Sequence, residues 1–258
     1  MPSRLRAILE HPTIEPYVLA VARARRRLFE RFGSARYSRP ALFELDRKLE
    51  AYLPERGGFF VEAGAFDGFL QSNTYYFERI KGWTGLLVEP VPEFCEACRR
   101  ERPGSRVFNC ALVPPDHEEK TVSITVGSLM SLVRGAQGSA EADRAHAQAG
   151  TRGGREPTYD IEVPGRTLSA LIDEAAAPAI DLLVLDVEGY EPEALAGLDL
   201  DRHAPRFLLV EMLEPERTRS GIEELIGGRY EYVEQLSPHD HLYRRRPSPP
   251  APGSSPPG

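Results

Sequence analysis

The chain has 258 residues, 41% hydrophobic and 28% charged, which suits one sizeable core with extensions and excludes a disordered chain. No apolar run approaches the roughly 20 residues of a membrane span, and the N-terminus lacks a secretory leader's apolar stretch. Three cysteines cannot build a disulfide framework, so a cytoplasmic location is expected, and an acidic net charge of −7 argues against broad nucleic-acid binding.

Residues 1–56 are predicted to form an N-terminal helical extension. Val18, Leu19, Leu28, Phe29 and Phe32 carry helical spacing, as do Leu42, Leu45, Leu49 and Leu53, with Gly33 and Pro40 as interruptions. Residues 1–40 hold nine arginines against three glutamates, a local +6 that leaves −13 on the rest. The first helix therefore reads as one with a solvated arginine face.

From residue 57 the pattern changes to alternating short apolar strands and helices, the signature of a parallel sheet covered on both faces. Strands are predicted at Phe59–Val61, Gly85–Val88 and Val107–Leu112, with helices at about Ser72–Ile80 and Val91–Arg100. Residues 114–164 read as a lid-like, partly mobile insertion with one strand at Thr121–Val126. Beyond it come a helix at Leu168–Glu174, a strand at Asp181–Leu185, a helix at about Pro192–Ala196 and a strand at Phe207–Val210. A short helix at 222–226 and a terminal hairpin, 229–236 with 241–245, close a domain spanning 57–246. The tail 247–258, rich in proline, glycine and serine, is predicted to be disordered.

Open parallel sheets bind ligands beyond the carboxyl ends of their strands, and here those ends carry Glu62, Glu89, Asn109, Asp186 and Glu211. The segment Phe60-Val61-Glu62-Ala63-Gly64-Ala65-Phe66-Asp67-Gly68 runs from a strand into a turn with glycines four apart. It is not the phosphate-binding G-x-G-x-x-G, and an acid before the first glycine suits a cation better than a phosphate. Leu86-Leu87-Val88-Glu89-Pro90 ends a second strand on a carboxylate able to accept hydrogen bonds from two ribose hydroxyls. Asp186 and Glu188 flank one residue where another buried strand emerges; burial beside a second acid raises a carboxyl's pKa and suits it to act as a base. Each of these features also has a plain structural reading, as turn, strand end or helix cap.

FVEAGAFDG, GLLVEP, NCAL and LLVLDVEGYEPEALAGL, in this order, resemble the FkbM-type S-adenosylmethionine-dependent methyltransferases over about Gly58 to Glu211. The Ser72-Asn73-Thr74 triplet and Gly82-Trp83-Thr84-Gly85 are similar to a subset of that family. The resemblance implies an α/β fold: a Rossmann-like, seven-stranded, mostly parallel sheet of the class I methyltransferase kind, with the terminal hairpin supplying two strands. It also implies that Glu62, Gly64, Ala65 and Gly68 surround the methionine part of S-adenosyl-L-methionine. Glu89 would bind the ribose, with Asn109, Cys110 and Ala111 near the adenine. Asp67, Asn73, Thr74 and Pro90 complete the expected cofactor contacts. Asp186, also counted among them, and Glu188 would face the methyl group and acceptor. Two positions depart from the pattern: Phe66 replaces a frequent asparagine, and Leu185 a frequent lysine or serine-like residue.

Transfer of a sulfonium methyl is an in-line displacement that needs an aligned acceptor and removal of its proton. The expected activity is O-methylation of a small-molecule acceptor, a hydroxyl on a sugar or specialised metabolite. Asp186 is the expected base or acceptor-orienting residue, supported by Glu188 or Glu211. Asp186, Glu188, Glu211 and Glu214 can offer oxygen ligands to magnesium, but nothing in their spacing demands a metal. The competing readings are a nicotinamide-dependent oxidoreductase, disfavoured by the missing glycine triplet, and a non-catalytic cofactor-binding module acting through a partner. Cys95-x-x-Cys98 has no second pair to complete a zinc site and reads as packing. Likewise, His239-Asp240-His241 reads as the hairpin turn and Tyr75-Tyr76-Phe77 as helix packing. Ser128 and Ser131 sit where acceptor contacts are expected. The sequence does not indicate the acceptor or the oligomeric state.

Overall fold

A computed structural model describes residues 15–151, 157–213 and 215–247. Helix α1 (Glu15–Arg31) leads through a 3-10 turn at Leu42–Glu44 to a short helix, α2 (Leu45–Leu49). The main domain then alternates β1 (Phe59–Ala63), α3 (Tyr75–Arg79), β2 (Thr84–Val88), α4 (Pro92–Glu101) and β3 (Ser105–Phe108). An inserted unit holds β4 (Ala111–Leu112), β5 (Thr121–Val126), β6 (Leu132–Val133), α5 (Ala140–Gly150) and β7 (Tyr159–Arg166). The alternation resumes with α6 (Leu168–Glu174), β8 (Leu182–Leu185), α7 (Glu191–Ala196), α8 (Leu200–His203) and β9 (Phe207–Glu211). It ends with α9 (Pro215–Ile226), β10 (Tyr230–Gln235) and β11 (Asp240–Arg245).

The main sheet has seven strands in the order β10-β11-β9-β8-β1-β2-β3. The five from β9 to β3 are parallel, and the terminal hairpin adds two antiparallel strands at the β9 edge. This is the mostly parallel α/β sheet that the sequence predicts. Alternation along β1 explains the two-sided core: Phe59, Val61 and Ala63 pack on one face with Leu183 and Leu208, while Phe60 packs on the other with Leu87 and Trp83. Glu62 therefore shares the face of Phe60.

Two predictions need correction. The single third strand is two: β3 belongs to the main sheet, and β4 pairs with β7. Between them the Asn109 side-chain amide donates to the carbonyls of Glu89 and Pro90, so the chain leaves the main sheet there. Residues 114–164 also hold more regular structure than the one strand predicted. With β4 they build a four-stranded sheet, β4-β7-β5-β6, with its own core of Val122, Ile124, Val126 and Val163 against Val91 and Val113. The alanine-rich stretch is helix α5, started by Ser139 accepting from Ala142 N, and Leu132, Ala136 and Ala147 pack it down. The tail from 248 onward and residues 1–14 lie outside the described residues.

Helix α1 is also not wholly solvated. Arg26 is buried, paired with Glu101 and lying 3.4 Å over the Phe69 ring.

Candidate active site

Strand order reverses at β1, which has β2 on one side and β8 on the other, so a crevice opens beyond the ends of β1 and β8. There Gly64 adopts φ 86°, and a Cβ on it would lie 1.8 Å from the carbonyl oxygen of Asp186. Only glycine lets the two strand ends approach this closely. The crevice continues into a cavity of about 370 Å³, within the range of small-molecule sites. Of the residues singled out from sequence, Glu62, Gly64, Asn73, Glu89, Pro90, Cys110, Ala111, Asp186, Glu188 and Glu211 line it, as do Ser128 and Ser131.

Glu89 leaves β2 buried, with Oε2 accepting from Phe66 N and Oε1 from Val91 N, both at 2.8 Å. Burial nevertheless outweighs these donors and pushes its carboxyl up to about 8. Phe66 itself has φ 48°, a left-handed conformation that asparagine adopts with less strain. Its ring packs 4.4 Å from that of Phe94. Leu185, the other departure, is fully buried in the core.

Asp186, Glu188 and Glu211 converge from two neighbouring strand ends, each with a carboxylate oxygen within 4.8 Å of the others. Among the described residues the Asp186 carboxyl hydrogen-bonds with the Glu211 carboxyl and receives no N–H donor, and Glu211 Oε2 is buried without a partner. Asp186 is held well above the ordinary carboxyl range by burial first, then by the charges of Glu211 and Glu188. Burial and the Glu188 charge push Glu211 to about 8. The two are arranged to share one proton. Such a trio also has the oxygen set of a divalent-cation site; Glu214 lies outside the described residues.

Five of the expected cofactor residues do not line the cavity. Asp67 instead caps the turn, accepting from Phe69 N and Leu70 N. Gly68 packs against Arg102, whose Cγ would meet a Cβ there at 2.9 Å. Thr74 is fully buried and donates to Glu62 Oε2, Ala65 is turned into the core, and Asn109 ties strand ends together. Glu62 reaches the wall, yet its oxygens are already taken by Ser72 Oγ, Asn73 N and Thr74 Oγ1, with Arg102 Nη1 3.6 Å away. Its negative charge is balanced from within.

Sequence reasoning missed that balancing residue. Arg102, fully buried, donates to Glu78, Ser72, Thr74 and the Gly68 carbonyl, and so braces the whole glycine turn. Nothing in its surface-like Arg99-Arg100-Glu101-Arg102 context marks it. Glu191 was also missed. It accepts from Val187 N and Gly189 N, folding the Asp186–Glu191 turn back on itself, and burial pushes it to about 7. His146, on inserted helix α5, places Nε2 2.7 Å from Glu188 Oε2, while Gln137 donates to the Glu188 carbonyl. The cysteines Cys95, Cys98 and Cys110 are free and buried.

A doubly wound sheet with carboxylates converging at its switch point defines a nucleotide-type cofactor-binding α/β protein. The model of the FkbM methyltransferase domain matches residues 62–244, and the chain belongs to that methyltransferase family. Solved structures are more distant. An FkbM methyltransferase from Methylobacillus flagellatus is 16% identical, with 73% of this chain and 43% of that one covered at a TM-score of 0.43. A TehB-like SAM-dependent methyltransferase from Corynebacterium glutamicum is 12% identical, covering 90% and 100% at 0.43. Aeropyrum pernix fibrillarin, with natively bound S-adenosyl-L-methionine, is 16% identical, covering 78% and 76% at 0.39. No curated protein matches the chain.

Proposed function

We propose that the protein transfers the methyl group of S-adenosyl-L-methionine to a hydroxyl oxygen of a small acceptor, a sugar or specialised metabolite. The cavity wall suits that cofactor. Asn73 Oδ1 is buried without a partner and can accept from an ammonium, and the lining carboxyls favour a cation over a pyrophosphate. When bound, the cofactor supplies an already activated methyl group. Glu89 is the proposed acceptor for the ribose hydroxyls, a reading supported by each of its oxygens retaining capacity for a further donor.

The observation that carries oxygen as acceptor is the Asp186–Glu211 pair, which among the described residues receives no N–H donor and faces the cavity. A hydroxyl, unlike a neutral amine, must give up a proton as it is methylated, and a carboxylate within hydrogen-bond reach can take it. A cation in the cavity favours the ionised pair, so cofactor entry releases its shared proton and leaves Asp186 Oδ free to accept one. His146 and Gln137 hold the Glu188 turn in place beside it. No metal is invoked.

Calorimetry with S-adenosyl-L-methionine, its demethylated product and NAD, in buffers of differing ionisation heat, tests the binding half. The expected result is binding of the first two, with greater proton release for the sulfonium cofactor than for its uncharged-sulfur product, and no binding of NAD. Methyl transfer from labelled cofactor into an extract of the producing cell tests the rest. The Asp186→Asn variant is expected to keep cofactor binding and lose turnover about a hundred- to ten-thousand-fold. Normal turnover in that variant would remove Asp186 as the base; label on amines alone would remove oxygen as the acceptor.

A further inference from the structure

Helix α1 packs with its polarity reversed. Its charged side faces the domain: Arg26 is buried against Glu101 and Phe69, and Glu30 accepts from Ser38 and Tyr75. Tyr17, Val21, Ala24 and Leu28 follow at steps of four, three and four residues, so they form one stripe, on the opposite side from Arg26. Phe32, just past the helix end, extends it. The stripe is open: Tyr17 is 73%, Val21 69%, Leu28 54% and Phe32 79% exposed. An ordinary surface helix buries such a stripe and shows its charges to water.

The flanks of the stripe are cationic and uncommitted. Arg25 lies on one side and Arg31 on the other, and neither has an acidic partner among the described residues; Arg25 makes only a ring contact, 4.2 Å over Tyr37. Exposed Arg36, over the same ring, is likewise unpaired. An apolar strip edged by arginines matches an interfacial helix, whose apolar face enters the acyl boundary while its cations meet anionic headgroups. A second copy fits poorly, because Glu30 is turned inward and two such faces would meet arginine to arginine.

We propose that the outer face of α1, Tyr17, Val21, Ala24, Leu28 and Phe32 between Arg25 and Arg31, docks the protein on an anionic phospholipid surface. The inference is independent of the methyl acceptor. No membrane span is implied: among the described residues no helix is long and apolar enough to cross a bilayer.

Co-sedimentation of the full chain with vesicles tests it. The protein is expected to pellet with vesicles of equal parts phosphatidylcholine and phosphatidylglycerol, not with phosphatidylcholine alone, and less as salt rises. Losing Arg25 and Arg31 together (R25Q, R31Q) is expected to lower partitioning about 25-fold, roughly fivefold for each. Val21→Ser with Leu28→Ser is expected to lower it about tenfold or more. Both pairs are solvent-exposed, so unfolding midpoint and cofactor affinity serve as fold controls. Absence of pelleting, or equal pelleting of both variant pairs, overturns the proposal. A dimer in sedimentation velocity that Val21→Ser and Leu28→Ser dissolve would overturn it in favour of a second copy, and capture only by an acidic protein would do so in favour of a protein partner.

Discussion

At the scale of single residues, the site is defined by carboxyls that water no longer solvates. Glu89 and Glu211 both sit at about 8 through burial, against an ordinary value of 4.5. A folded value above the unfolded one means that the native state binds more protons between the two. Stability is therefore highest near the acidic end of this window and falls as pH rises from about 4.5 towards 8, by roughly 1.4 kcal/mol per pH unit for each such group. Thermal unfolding of the ligand-free protein is expected to show this decline, and Glu89→Gln to flatten it. Saturating S-adenosyl-L-methionine is expected to flatten it too, because a nearby cation lowers the folded values. Gly64 is the tightest steric point. Gly64→Ala would drive its Cβ into the Asp186 carbonyl and demand an unfavourable positive φ. It is expected to cost more than about 1 kcal/mol in urea unfolding and to abolish cofactor binding.

At the scale of elements, two pieces of chain that look peripheral hold the turns lining the cavity in register. Arg102, one residue past α4, reaches under the glycine turn to Glu78, Ser72 and Thr74. Removing it leaves Glu62 and Glu78 buried without the guanidinium that pairs them, so Arg102→Met is expected to destabilise by about 3–5 kcal/mol in a denaturant titration. Helix α5 plays the corresponding part for the Asp186–Glu191 turn. His146 meets Glu188, whose φ of 58° is costly for a side chain of its kind and is kept by Gln137 and by the folded-back Glu191. Strained positive-φ residues, Phe66, Gln71, Ser128 and Glu188, gather around one cavity, as they do where a backbone is held ready for a ligand.

At the scale of the molecule, the parallel sheet, the inserted sheet and α1 have separable duties. The first presents the acids, the second closes the cavity with Ser128 to Val133, and α1 turns an apolar stripe outward. The C-terminal hairpin completes the sheet, and among the described residues its last hydrogen bonds come from Arg246, which donates to the carbonyls of Arg229 and Tyr230. Truncation after Arg246 is therefore expected to leave the unfolding midpoint and cofactor affinity unchanged, as differential scanning fluorimetry and calorimetry would show.

Strand and helix order of the main sheet was legible in the sequence because buried parallel strands are short apolar runs that end abruptly at polar residues. The acids at those ends, Glu62, Glu89, Asp186 and Glu211, stood out for the same reason. Helix α5 was not legible: its alanines read equally as helix or as low complexity, and only burial of Ala147 beside Leu132 decides. Tertiary structure alone assigned duties among the polar residues. Whether a carboxylate meets a ligand or an internal arginine depends on what the fold brings to it from far along the chain. Glu62 received Arg102 and became part of the scaffold, whereas Asp186 received Glu211 and, among the described residues, no cation, which is why it is the group proposed to act as base.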